Sequence, residues 1–235
     1  MSFHRMLAVL SLIAIWMLPS TVFAEGDLLI GGTTYFESGL MDGEERVSVQ
    51  ESDESFEFTN GNYFSARLGY MRPIAGSIHL GGVLDFIGTY RAELVEEDPD
   101  PDDPPEYYEF GTLLEAMILA EWRLALGESF GLGLGAHGGA AVLFPRGDFD
   151  ADIRELQDQD VGVWRVPRPG YGGGAHAAFT WRFDERMSLR AETGVKWQWI
   201  MLFRTNTTVD DVSYRKRWTS SARRAHLGVM LQIDL

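Results

Sequence analysis

The chain has 235 residues, no cysteine, 26 glycines and a formal net charge of −15. That charge excludes nucleic-acid binding, because phosphate contact needs a basic face. Without disulfides, an exported protein must take its stability from a large fold or from a membrane rather than from bridges.

The chain opens with a short basic start (His4, Arg5), an apolar run from Met6 to Leu18, and a tail ending Val22-Phe23-Ala24. This is the pattern of a secretory signal peptide over 1–24, cleaved after Ala24 and exported by a Sec-type route. The apolar run is shorter than the roughly 20 residues a membrane-crossing helix needs. Residues 25–235 are then a single domain.

From residue 27 onward the informative feature is a period of two, repeated eight times; no helical periodicity of useful length stands out. The first strand covers roughly Asp27 to Leu40. The second sets Phe64, Ala66, Leu68 and Tyr70 against Ser65, Arg67 and Gly69. The third sets Ile78, Leu80, Leu84, Phe86 and Tyr90 against His79, Asp85 and Arg91. The fourth sets Leu114, Ala116, Ile118, Ala120, Trp122 and Leu124 against Glu115, Glu121 and Arg123.

Strand five places Phe130, Leu132, Leu134, Ala136 and Phe144 opposite Gly131, Gly133, Gly135, His137 and Gly139. Strand six places Tyr171, Ala175, Phe179 and Trp181 opposite Gly172, Gly174, His176 and Arg182. Strand seven places Leu189, Val195, Trp197, Met201 and Phe203 opposite Arg190, Glu192, Lys196 and Gln198. The last is the cleanest, with Ala225, Leu227, Val229, Leu231, Ile233 and Leu235 on one face and Arg224, His226, Gly228, Gln232 and Asp234 on the other.

Connections alternate between short ones, near Ile74, Glu128 and Glu185, and long ones, at about 42–57, 94–107, 146–167 and 204–214. Two of the long ones carry most of the acid: Asp42–Glu57 holds seven carboxylates against one Arg, and Glu93–Glu109 nine with no base. The pattern predicts an all-β fold, an eight-stranded antiparallel up-and-down transmembrane β-barrel whose long loops are extracellular. A soluble, lipocalin-like ligand carrier shares the meander but turns its apolar face inward. The polar face here mixes long Arg and Glu side chains with glycines, as a narrow ion-paired lumen requires. The apolar face carries Tyr90, Trp122, Trp181 and Trp197 near strand ends, where an interfacial girdle places them. Both features favour the membrane reading.

The chain ends His226-Leu227-Gly228-Val229-Met230-Leu231-Gln232-Ile233-Asp234-Leu235. This is similar to the terminal-strand signal read by the barrel-assembly machinery, with His226, Gly228, Leu231, Ile233 and Leu235 at its marked positions and Leu235 in place of the usual aromatic. With the eight-strand pattern, the chain resembles the small OmpA/OmpX type of outer-membrane barrel, without a C-terminal peptidoglycan-binding domain. The resemblance implies a bacterial outer-membrane location, with outer-membrane lipids, lipopolysaccharide and the assembly machinery as partners.

An eight-stranded interior is just wide enough for side chains to fill, and charges there are stable only when paired. Arg67, Asp85, Arg91, Glu115, Glu121, Arg123, Arg182, Arg190, Glu192, Lys196 and Arg224 are the predicted lumen network. The glycines of strands five and six open space around His137 and His176, and a hairpin register would bring Glu192 beside His176, forming a candidate metal or acid/base site. In the acidic loop, Glu96, Glu97, Asp98, Asp100, Asp102 and Asp103 alternate with prolines and form a candidate weak calcium or magnesium site; no other cofactor is expected.

Asp148, Asp150 and Asp152 imitate a calcium loop, but Ile153 replaces its turn glycine and Gln159 its bidentate Glu. Arg146-Gly147-Asp148 spells an adhesion tripeptide. The basic Arg215-Lys216-Arg217 would meet either lipopolysaccharide phosphates or the acidic loops. The strand histidines lie on the polar phase, away from any Ser partner on the lipid face, which speaks against an outer-membrane lipid hydrolase. The functional expectation is a structural or surface-interaction barrel; the alternatives are a narrow channel for small solutes, the soluble carrier and the enzyme.

Overall fold

The computed structural model describes residues 25–47, 50–95, 107–163, 167–209 and 212–235. The predicted signal peptide and the acidic positions Glu96, Glu97, Asp98, Asp100, Asp102 and Asp103 lie outside the described residues. Eight strands follow one another: β1 (Asp27–Val47), β2 (Gln50–Ala75), β3 (Ile78–Leu94), β4 (Tyr107–Ala125), β5 (Phe130–Pro145), β6 (Arg168–Arg182), β7 (Met187–Val209) and β8 (Val212–Asp234). Among the described residues one helix, α1 (Gly147–Asp158), stands between β5 and β6. Each strand is antiparallel to the next, and β8 returns to pair with β1 from Asp27↔Asp234 to Val47↔Tyr214, closing the barrel. Closure leaves no edge strand, so every strand has a hydrogen-bonding neighbour on both sides, as a lipid-facing sheet requires.

The short turns fall where the sequence places them, at 76–77, 126–129 and 183–186. The long connections differ from expectation. Residues of 42–57 and 204–214 are strand: β1 and β2 stay paired to Val47↔Gln50, and β7 and β8 to Val209↔Val212. Their polar composition hid the alternation, in which Asp42, Glu44 and Arg46 point outward while Met41 and Trp218 are buried inside. Glu44 lies opposite Arg217, and Lys216 Nζ pairs with Glu45 at 3.1 Å, so opposite charges face each other at two successive rungs of the β1–β8 seam.

The third connection, 146–167, holds α1, which the sequence reading missed. Its signal is Phe149, Ile153 and Leu156 at i, i+4 and i+7, the spacing of one helical face; Phe149 and Ile153 are fully buried. Asp148 and Asp150 in its first turn suit the positive end of the helix dipole, and Arg154 pairs with Asp150 one turn on.

Outside, the apolar phase forms a continuous band: Phe64 is 69% exposed, Ile118 67% and Val195 63%, although all three are large and hydrophobic. From Leu189 to Trp199 the chain advances roughly 33 Å, which at about 40° of strand tilt gives ~25 Å of height, the thickness of a lipid-facing band. Aromatic clusters border it at both ends. Trp181 meets Phe183 (5.9 Å) and Phe130 meets Phe179 (5.7 Å) at the short-turn end, while Tyr171 meets Trp197 (5.4 Å) and Trp199 (5.3 Å) at the other.

Register shifts invert the faces in several strands, two of them ahead of residues that the alternation places outward. In β3 the ladder slips between Ile87 and Tyr90, so Tyr90 and Ala92 turn inward and Arg91 outward. In β7 it slips between Met201 and Phe203, and Phe203 and Thr205 turn inward. Bulges of this kind displace every later side chain to the other face, which corrects the outward placement of Tyr90 and Phe203.

Candidate functional site

The lumen is built in tiers from the short-turn end. At the lowest, Arg123 joins Asp27 to Glu121, its Nε reaching Glu121 at 2.6 Å. Glu121 is the hub: it also accepts from Arg190 (2.5 Å) and approaches His176 Nε2 at 2.9 Å. Arg190 continues to Glu192 (2.8 Å), and Glu192 to Arg67 (2.6 Å), whose guanidinium clasps both oxygens of Asp85 at 2.7 and 2.8 Å. One tier higher, Glu115 accepts from Lys196, Gln198 (2.6 Å) and Arg224 (3.0 Å), and Arg224 Nε reaches Glu37 at 2.8 Å. Glu37, Asp85, Glu115, Glu121 and Glu192 each have two or more charged or polar donors, the condition under which buried charge is tolerated.

Above this, Tyr63 and Tyr90 (2.6 Å) both donate to Glu37, and Tyr35 donates to Asp85 (3.3 Å). Tyr35 and Tyr63 stack at 5.3 Å, and the Arg224 guanidinium lies 5.2 Å from the Tyr90 ring centre. This tyrosine tier separates the charged lumen from an apolar core at the far end, where Phe110, Phe149 and Phe203 are buried together.

The three inward histidines sit where glycines leave room for them. A Cβ at Gly135 would lie 2.5 Å from His176 Cε1, at Gly174 3.0 Å from His137 Nε2, and at Gly194 2.6 Å from His226 Cε1. The rings contact one another: His137 and His176 at 5.7 Å with Nδ1 atoms 3.4 Å apart, and His137 and His226 at 6.1 Å. An enclosed cavity of about 10 Å³, room for roughly one water, adjoins His137 and His226.

The predicted trio of His137, His176 and Glu192 is therefore not assembled as expected. His176 lies opposite Gly194 and Glu192 opposite Ala178; His176 engages Glu121 instead, and Glu192 comes within 3.4 Å of His226. No group of three or more ligating side chains among the described residues has metal-holding geometry.

Of the predicted network, Arg67, Asp85, Glu115, Glu121, Arg123, Arg190, Glu192, Lys196 and Arg224 are joined in the lumen. Arg91 is not: the β3 bulge turns it outward, over the Tyr107 ring at 4.6 Å. Arg182 is exposed at the short-turn end, because its strand ends there. Glu37, Asp27, Tyr35 and Tyr63 escaped sequence reading as lumen residues, and Tyr90 was placed on the outer face. Glu37 carried a signal, since it alternates in phase with Thr33 and Tyr35 along β1.

In β8, His226 and Gly228 of the terminal signal face inward, Leu231 and Ile233 are partly covered, and Leu235 is exposed, its N–H donating to Gly26 at 2.9 Å. The adhesion-like tripeptide is not an open loop. Gly147 and Asp148 start α1, and Asp148 accepts the Glu109 N–H at 2.8 Å.

Helix α1 covers one side of the barrel's far end. Tyr108 donates to Asp152 (2.5 Å), Thr205 to the Gly162 carbonyl (2.7 Å), and the Arg168 guanidinium lies 5.8 and 5.7 Å from the Phe149 and Phe203 rings. Burial and the adjoining Asp152 carboxylate push the Tyr108 hydroxyl well above its ordinary pKa. The uncovered side leaves a cavity of about 490 Å³ between α1 and the extended arms of β1, β2 and β8.

A closed ring of eight strands, apolar without and ion-paired within, decides the class. The chain is a small eight-stranded transmembrane β-barrel. It is similar to Neisserial surface protein A at 12% identity (86% of this chain and 97% of that one, TM-score 0.40). It is also similar to OprG from Pseudomonas aeruginosa at 8% (89% and 96%, TM-score 0.48) and to the outer membrane protease OmpT from Escherichia coli at 11% (91% and 97%, TM-score 0.41). No protein-family model matches, and no curated protein matches.

Proposed function

We propose that this barrel is a non-conducting surface-interaction protein of the bacterial outer membrane, working at the end that carries the extended arms and α1. The observation that carries this reading is the filled lumen. A salt-bridge network from Asp27 to Glu37, a tyrosine tier and an apolar core succeed one another along the axis, and an ion crossing them would have to break buried pairs. In planar bilayers the purified barrel should give no steady openings; regular, voltage-stable conductance would favour the narrow channel instead.

Lipopolysaccharide is the proposed partner on the barrel's outer wall. Arg204 lies directly opposite Arg217, and Arg215 opposite Arg46, all exposed, beyond the Tyr171–Trp197–Trp199 cluster. Like charges paired across strands repel; Glu44 offsets Arg217 from its β1 side only, and an anion beside Arg204 and Arg215 relieves the rest. Reversing Arg204 and Arg217 to Glu should weaken co-purification of lipopolysaccharide while leaving the barrel folded; unchanged retention would remove this partner from the reading.

A role as an enzyme draws no support from the lumen, where Glu115, Glu121 and Glu192 are each committed to basic partners. For the acidic segment, weak calcium or magnesium binding is proposed from composition alone. Calcium should then slow proteolysis of the intact protein but not of a variant with Asp98, Asp100, Asp102 and Asp103 changed to Asn.

A further inference from the structure

The cavity beside α1 is unlike the rest of the interior. At about 490 Å³ it is within the size range of small-molecule sites, and it lies beyond the tyrosine tier, so it opens away from the lumen network. Its walls are mostly apolar and aromatic, among them Phe56, Phe110, Phe149 and Trp218. The charges among them are Glu45, Asp152, Glu155 and Lys216. Lys216 and Glu45 neutralise each other at 3.1 Å, which leaves the two helix carboxylates. Asp152 holds the Tyr108 hydroxyl, and Glu155 is exposed.

We propose that this cavity binds a small lipophilic cation, an amine or quaternary ammonium with an apolar body. Aromatic faces and carboxylates together are the chemistry that recognises such groups, the rings through their negative faces and the acids through charge. The site already uses the first interaction internally: Lys216 Nζ sits 5.7 Å from the Trp218 ring centre, and Trp218 stacks on Phe56 at 5.5 Å. An anionic amphiphile of the same shape would meet the Asp152 and Glu155 carboxylates and be rejected. The proposal deepens the reading of the outer end as the interaction face, and it rests on that reading only for access from outside.

The test uses the intact protein in lipid nanodiscs, titrated by calorimetry with three water-soluble probes of similar shape: 4-phenylbutyltrimethylammonium, 4-phenylbutanol and 5-phenylvalerate. The expected result is saturable binding of the ammonium, at least tenfold weaker binding of the carboxylate, and the alcohol between them. Glu155→Gln should weaken ammonium binding several-fold and leave the alcohol unchanged. Leu156→Trp, which fills the cavity, should abolish all binding with the barrel's resistance to unfolding in detergent intact.

Absence of saturable binding by any probe overturns the site, and equal affinity for ammonium and carboxylate overturns the charge selection. Binding that survives Leu156→Trp places the ligand elsewhere and also overturns it. Conductance measured on the same preparations keeps the two ideas separable, since a silent barrel that binds nothing defeats this proposal alone.

Discussion

At the scale of single residues, the lumen depends on hubs. Glu121 holds Arg123, Arg190 and His176 at once, so removing its charge leaves two guanidinium groups without their shared counterion. Breaking a buried pair from one side costs about 3–5 kcal/mol. Glu121→Gln should therefore lower the stability of the folded barrel in vesicles by that order, read from urea titration of tryptophan fluorescence; a loss under about 1 kcal/mol would mean that the network is only a surface-like pairing. Gly133 tests the space beneath the same carboxylate, since its added Cβ would lie 2.7 Å from Glu121 Cδ. Gly133→Ala should cost about 1–3 kcal/mol, the usual range for overpacking.

Helix α1 is the element whose stability the structure ties to pH. Tyr108 is partly buried and bonded to Asp152, and its hydroxyl titrates well above the ordinary value of 10. A tyrosine whose folded pKa is raised contributes stability that is complete below the unfolded value and is lost as pH climbs beyond it. The helix should hold through neutral and mildly alkaline conditions and loosen above about pH 10. Limited proteolysis within 147–163 measures this, and Tyr108→Phe should remove the alkaline onset while leaving a lower, pH-independent protection. Identical pH profiles for the two proteins would exclude Tyr108 as the titrating anchor.

The other element-scale lesson concerns bulges. Ser65, Arg67, Asp85, Glu115 and Glu121 were legible as inward from period two alone. Arg91 and Phe203 were misplaced because each lies past a register slip, and one extra residue in one strand leaves no mark on the alternation of its neighbours.

For the whole molecule, closure is the property with the widest consequence. With β8 joined to β1 along their full lengths, unfolding has no free edge from which to begin. Unboiled protein in dodecyl sulfate should migrate differently from boiled protein; identical mobility would show that the ring opens readily. Glu121→Gln should lower the temperature at which the two forms merge, linking the residue to the ring.

The sequence by itself determined the eight strands, the three short turns, the outward apolar band and most of the paired lumen, because lipid and a narrow interior impose period two and charge pairing on local sequence. Only the tertiary structure decided which carboxylate meets which base, since Arg67 meets Glu192 across 125 positions of chain. It alone showed that the polar arms remain strand above the band, where cross-strand pairing rather than hydrophobicity holds them. It alone placed α1 against the barrel's end, because a short helix persists only when its apolar face finds a core to bury it, and that contact creates the cavity beside it.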